Sequence, residues 1–191
     1  MEQFCLICRG IQTERLFKGL RRCRQCQYTF AELTLTDEEL ARLYDHTLFR
    51  EGEFFDYAAD RKYLTKNFRD RYRVLRRYMD ANRHQRLLEI GSAYGFFLDA
   101  VRSDFRELLG IDVTDEGVRY TREQLGLPAV QGDFLHYDFD AMRFDVVCIW
   151  DTIEHVRRPD LYIEKIAALT EPGALLALTT GDIGSVVARV R

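Results

Sequence analysis

The sequence predicts an α/β chain: a doubly wound, mostly parallel sheet of about five strands, preceded by a small four-cysteine module and a helical linker. Three observations predict it. Short apolar runs at Leu87 to Ile90, Leu108 to Val113, Ala129 to Gly132, Phe144 to Trp150 and Ala174 to Thr180 alternate with helical segments at Phe96 to Arg102, Asp115 to Leu125 and Pro159 to Leu169. Such strict alternation argues parallel strands with helices on both faces. Upstream, Leu64, Phe68, Tyr72, Leu75 and Met79 recur at helical spacing, one apolar stripe of a helix from about Asp60 to Asp80 with arginines on its other faces. Before that, two Cys-x2-Cys pairs stand at the amino end.

The chain has 191 residues, 47% of them apolar, 31% charged and only three prolines, which excludes disordered and collagen-like classes. No apolar run approaches the roughly 20 residues of a spanning helix, and the opening Met1-Glu2-Gln3-Phe4-Cys5 does not read as a secretion signal, so a cytoplasmic protein without a membrane partner is expected. The net charge of −3 does not advertise nucleic acid as a whole-molecule partner. The charge is divided, however: residues 1 to 85 carry 17 Lys and Arg against 13 Asp and Glu, whereas residues 86 to 191 carry 11 against 18.

Cys5 and Cys8, with Cys23 and Cys26, have a zinc-ribbon spacing. Each tight turn presents two thiolates to one ion, and two turns complete a closed tetrahedral shell, so a structural rather than a catalytic zinc is expected. Disulfides and a redox Cys-x-x-Cys fit less well, because no secretion signal is seen and neither pair opens a helix after a buried strand. Cys148, inside an apolar run, reads as a small buried hydrophobe. The module covers residues 1–33, with Phe4, Leu16, Phe17, Tyr28 and Phe30 available for a very small core. A linker or lid of residues 34–85 follows, with a helix start at Thr36-Asp37-Glu38-Glu39 and an aromatic cluster at Phe49, Phe54, Phe55 and Tyr57. The stripe of the later helix either packs on the domain of residues 86–191 or closes over a ligand.

Ligands of such folds bind at the carboxyl ends of the strands, so the residues just after each run carry the information. The first run ends in Glu89-Ile90-Gly91-Ser92-Ala93-Tyr94-Gly95-Phe96, a glycine loop that admits close approach of a ligand but lacks the dinucleotide fingerprint. The second ends at Asp112, 21 residues after Gly91, where a carboxylate can accept both hydroxyls of a ribose; Val113 follows. The third ends with Asp133 and Phe134, suited to an adenine amine and ring. The fourth ends with Trp150, Asp151, Thr152, Ile153, Glu154 and His155.

Taken in this order, the motifs resemble the class I S-adenosylmethionine-dependent methyltransferases, in particular the branch with an Ile-Glu-His-Val segment after the fourth strand, here Ile153 to Val156 and then Pro159. The resemblance covers about Arg86 to Thr180 and implies a Rossmann-like methyltransferase sheet. It also implies that Glu89 to Gly95 line the methionine end of the cofactor, that Asp112 holds the ribose, and that Asp133 and Phe134 hold the adenine. Trp150 and Asp151 are expected along the cofactor, while His155 with Glu154 are the candidates for a general base. Ala93 stands where the commoner pattern has glycine. The four-cysteine module resembles that of sugar methyltransferases, which implies a sugar or sugar nucleotide as the small-molecule acceptor. Family members usually have seven strands, so a sheet short at its carboxyl end, with an apolar open edge that a second copy could complete, is also expected. Three other readings stay open: an RNA methyltransferase gripping phosphates with the ribbon and the arginine-rich helix, a non-catalytic zinc-bearing binding protein or inactive fragment, and a nicotinamide-dependent dehydrogenase.

Overall fold

A computed structural model describes residues 4–32, 60–182 and 185. The chain divides after Asp56 into two compact units. In the first, β1 (Thr13–Phe17), β2 (Leu20–Cys23) and β3 (Thr29–Ala31) form an antiparallel meander in the order β1-β2-β3. The rings of Tyr28 and Phe30 stack in it, 5.8 Å apart. Phe4 and Phe17, expected in a small core, are instead 46% and 65% exposed. Three short strands cannot enclose that many rings.

The second unit runs α1 (Arg61–Leu75), β4 (Arg86–Ile90), α2 (Phe96–Val101), β5 (Glu107–Asp112), α3 (Asp115–Glu123), β6 (Ala129–Gln131), β7 (Phe144–Trp150), α4 (Pro159–Ala168) and β8 (Thr170–Thr179). The five strands lie in the order β6-β5-β4-β7-β8, and every neighbouring pair is parallel. This is the parallel sheet expected from the alternation, and the Rossmann-like sheet that the resemblance implies. β4 is buried on both faces because its successive side chains enter two cores: Leu87 joins Phe97, Val101 and Val146 on one side, and Leu88 joins Ile111, Val147 and Ile166 on the other.

The stripe running from α1 into the turns after it packs against the first of these cores through Leu64, Phe68, Tyr72, Leu75 and Met79. The helix stops at Leu75 rather than Asp80, because Arg77 and Tyr78 donate back three residues, to Val74 and Leu75, and tighten the chain into turns. The aromatic cluster at 49–57 and the helix start at Thr36 fall outside the described residues. β8 begins four residues before the expected Ala174, with its pairing to β7 shifted around Glu171–Gly173. Along this edge strand Leu175 and Ala177 face the core, while Leu176 and Leu178 are 41% and 42% exposed. No helix among the described residues is long and apolar enough to cross a membrane.

Two polar clamps tie the sheet together. Asp145, at the start of β7, accepts from the backbone N–H groups of Gln85 and Arg86 and from the Arg86 guanidinium at 2.7 Å. His84 accepts from the Asp80 N–H at Nδ1, which leaves Nε2–H to donate to the Gly173 carbonyl at 3.1 Å and hold the edge strand. Burial alone would raise the pKa of Asp145, but the Arg86 and backbone donors outweigh it and hold the carboxyl below its ordinary value. A depressed carboxyl contributes stability above its unfolded pKa and loses it as pH falls through the folded value. Asp145→Ala is therefore expected to cost about 2–3 kcal/mol at neutral pH. In urea titrations the gap from the parent should narrow below about pH 4.

Candidate active site

The strand order reverses between β4 and β7, and the crevice at their carboxyl ends is where an open parallel sheet binds ligands. Ile90 and Ile149 stand in register there, so the glycine loop after β4 and the Trp150–His155 segment after β7 are brought side by side.

The loop has almost no freedom. Gly91 has φ +76°, and a Cβ added there would lie 2.7 Å from Cγ2 of Thr152. Gly95 has φ +70°, and a Cβ there would meet Thr121 at 2.6 Å. Ala93, the departure from the common pattern, also adopts a left-handed φ of +44°. A side chain on this left-handed backbone costs strain of about 1–2 kcal/mol. The Ala93 N–H donates to Oδ2 of Asp112 at 2.7 Å, and its carbonyl lies against Gly117 of α3, where a side chain would not fit.

Asp112 accepts at its other oxygen from the Thr114 N–H and hydroxyl, so it shapes the loop as well as standing at the end of β5. Beside it Val113 is 65% exposed, an apolar surface next to the loop. Asp133 caps the following turn through the Leu135 N–H and keeps half its side chain in solvent. The rings of Phe134 and Phe96 turn inward, at 2% and 3% exposure.

Three buried polar atoms at this end of the sheet have no hydrogen-bond partner among the described residues: Oε2 of Glu89, Oγ of Ser92 and Nε1 of Trp150. Burial pushes the Glu89 carboxyl well above its ordinary pKa, and the charge of Asp112 adds to this against a small opposing contribution from the Leu98 N–H. Polar groups left over around a glycine cradle fit a polar ligand with a close backbone approach. Glu154 and His155 are both exposed on a single 3-10 turn, Ile153–His155, and Glu154 accepts from the Gly181 N–H at 3.2 Å. Tyr94, inside the loop, donates its hydroxyl to Glu116.

Sequence reasoning missed Arg71. The packing of α1 carries its guanidinium to the end of β7, where it lies 2.6 Å from Asp151 and 5.7 Å from the Trp150 ring. Its place one residue before Tyr72 of the apolar stripe was the available signal, but the stripe alone did not show which strand end it would reach.

In the amino-terminal unit the four sulfurs of Cys5, Cys8, Cys23 and Cys26 lie within 4.8 Å of one another, with 3.4 Å between Cys8 and Cys23 and 3.5 Å between Cys5 and Cys26. A tetrahedral thiolate shell at ordinary zinc–sulfur distances has about 3.8 Å between sulfurs. The two turns are alike: the Arg9 N–H donates to the Cys5 carbonyl and the Gln27 N–H to the Cys23 carbonyl, and both donors have left-handed φ, +61° and +66°. The four thiols can therefore hold one metal ion, while Cys148 is buried in the sheet opposite Glu89.

Residues 39–189 match the methyltransferase-domain family. The chain belongs to that family. It is similar to the ubiquinone biosynthesis O-methyltransferases of Chelativorans sp. (strain BNC1), 26% identical over 50% of this chain and 40% of the relative, and of Coxiella burnetii, 26% identical over 49% and 42%. The chain thus spans less than half the length of these curated relatives. Among solved structures, the S-adenosylmethionine-bound amino pentose methyltransferase of calicheamicin biosynthesis from Micromonospora echinaspora shares the fold at a TM-score of 0.57 and 20% identity, over 69% of this chain and 59% of that one.

Two substitutions check the loop. Gly91→Ala is expected to destabilise by roughly 2 kcal/mol or more, and Ala93→Gly to stabilise by up to about 1 kcal/mol, both read by urea denaturation. A carboxyl with a raised folded pKa contributes stability below its unfolded pKa and loses it as pH rises through the folded one. Across the range above about pH 4, Glu89→Gln should therefore flatten a decline seen in the parent protein.

Proposed function

We propose that the chain is an S-adenosylmethionine-dependent methyltransferase acting on a small molecule, a sugar or sugar nucleotide. The observation that carries this reading is the glycine cradle at the β4–β7 crevice, with unpartnered buried polar atoms beneath it and Asp112 at the next strand end. S-adenosylmethionine supplies a methyl group activated by its sulfonium. Gly91 and Gly95 admit the amino-acid arm, Asp112 accepts from the ribose hydroxyls, Val113 provides an apolar seat for the adenine, and Asp133 accepts from its amine. Trp150 and Asp151 line the inner wall at the end of β7.

Methyl transfer needs an in-line nucleophile more than covalent machinery. His155, exposed beside the crevice, takes the acceptor's proton, and Glu154 anchors the segment after β8 next to it. The sugar class draws support from the four-cysteine module and from the amino pentose methyltransferase that shares the fold. Carboxylates at the mouth, Asp112, Asp133, Asp151 and Glu154, disfavour a phosphate backbone. The arginines of α1 are also partly engaged: Arg61 pairs with Asp99, Arg71 with Asp151 and Arg73 with Asp70. Both observations weigh against RNA as the acceptor. In the other unit Cys5, Cys8, Cys23 and Cys26 hold a structural zinc with no open position for water.

Calorimetric titration of the metal-analysed protein with S-adenosylmethionine, its demethylated product and NAD tests the reading. Binding of the first two but not NAD is expected, and Asp112→Ala should weaken it at least about tenfold. Silence from a folded, zinc-loaded sample would sink it. A Cys8→Ser, Cys26→Ser variant should lose its zinc yet keep cofactor affinity within about twofold, since a closed shell has no open position for a ligand.

A further inference from the structure

The side of α1 turned away from the sheet is strongly cationic. Residues 61–77 carry eight Lys and Arg against one Asp. Lys62, Lys66, Arg69, Arg73 and Arg76 recur at steps of four, three, four and three, which lines them along one side of the helix, and all five are exposed. Arg73 pairs with Asp70, but both side chains are well exposed and such a pair holds little of the charge. Lys62, Lys66, Arg69 and Arg76 have no carboxylate partner among the described residues. Next to this line stand Tyr63 and Val74, eleven residues apart and so on one side of the helix, at 70% and 51% exposure, with Tyr78 in the turn after it at 71%. The chain that follows has the opposite sign: residues 86–191 carry 11 Lys and Arg against 18 Asp and Glu.

We propose that this outer face of α1 adsorbs the protein to a membrane surface rich in anionic lipid. No spanning segment is needed. The apolar stripe of the helix stays in the sheet, the cations meet the headgroup charges, and the tyrosines and Val74 enter the interfacial layer beside them. A straight line of cations about 20 Å long matches a planar sheet of charge without any shape complementarity. A protein partner fits less well, because one face of a 15-residue helix offers roughly 200–250 Å², far below the ~800 Å² per partner of a stable interface. A nucleic acid would stack its bases on exposed rings, and Val74 gives a base nothing to stack on. The acidic remainder of the chain is repelled by the same lipid, so the molecule meets the surface in one orientation.

Sedimentation of the full chain with two sets of vesicles tests this, one of phosphatidylcholine and one carrying about one-third phosphatidylglycerol. The anionic vesicles should be bound at least about tenfold more tightly than the neutral ones, with the difference shrinking as salt is raised from about 50 to 300 mM. Lys66→Gln with Arg69→Gln should weaken that binding about 10- to 30-fold, a factor of about five per cation. Arg106→Gln with Arg119→Gln removes the same charge from two other exposed positions and should change it by less than about twofold. Tyr63→Ser with Val74→Ser should cost about 3- to 10-fold and leave the salt dependence as it was. Matched melting curves exclude misfolding. Equal losses from the two pairs of charge changes overturn the surface, as does equal binding, or none, to the two sets of vesicles. An RNA of about 20 nucleotides held more tightly than the anionic vesicles at the same salt also overturns it, in favour of a phosphate backbone. None of these outcomes bears on the methyltransferase reading, which the cofactor titration tests separately.

Discussion

The contact of Gly91 with Thr152 sets the geometry on which the crevice depends. β4 and β7 are neighbours across the point where the strand order reverses, and their following segments must pass each other at backbone distance. A side chain at Gly91 would collide with Thr152, and the left-handed turn there is one that glycine alone adopts freely. With the turn made, Ser92 is buried, the Ala93 N–H reaches Asp112, and Gly117 lets α3 close on the loop. The strain at Ala93 is tolerated because hydrogen bonds and packing on both sides over-determine its conformation.

The amino-terminal unit follows a different economy. Among the described residues its strands bury little apolar surface, and rings such as Phe17 lie in solvent. Four sulfurs gathered by two equivalent turns supply the alternative, since metal binding can serve as folding energy in modules of this size. The methyltransferase domain needs no such device, because its sheet is covered by helices and buries Leu87, Leu88, Val146 and Val147 completely.

Much of the crevice was legible because it is local. Gly91 and Gly95 flank one turn, Asp112 ends one strand, and Glu154 and His155 share one short segment, so order along the chain stands in for order in space. What was not legible depends on distant packing. The ring of Phe134 was expected at an adenine, but it packs inward on Phe139 and Tyr162 from elsewhere in the chain. The end of α1 was read several residues too long, because an apolar stripe continues through turns that still reach the same core.

The sequence by itself determined the alternation of strands and helices, the cysteine turns and the strand-end residues, since these follow from periodicity and from spacing within a few residues. Only the tertiary structure decided that Asp112 is partly engaged by its own loop, that Glu89 is buried with an unpartnered oxygen, and that Arg71 meets Asp151 across 80 residues of chain. The physical reason is that burial and charge pairing are properties of the space around a side chain, and packing against remote elements fills that space.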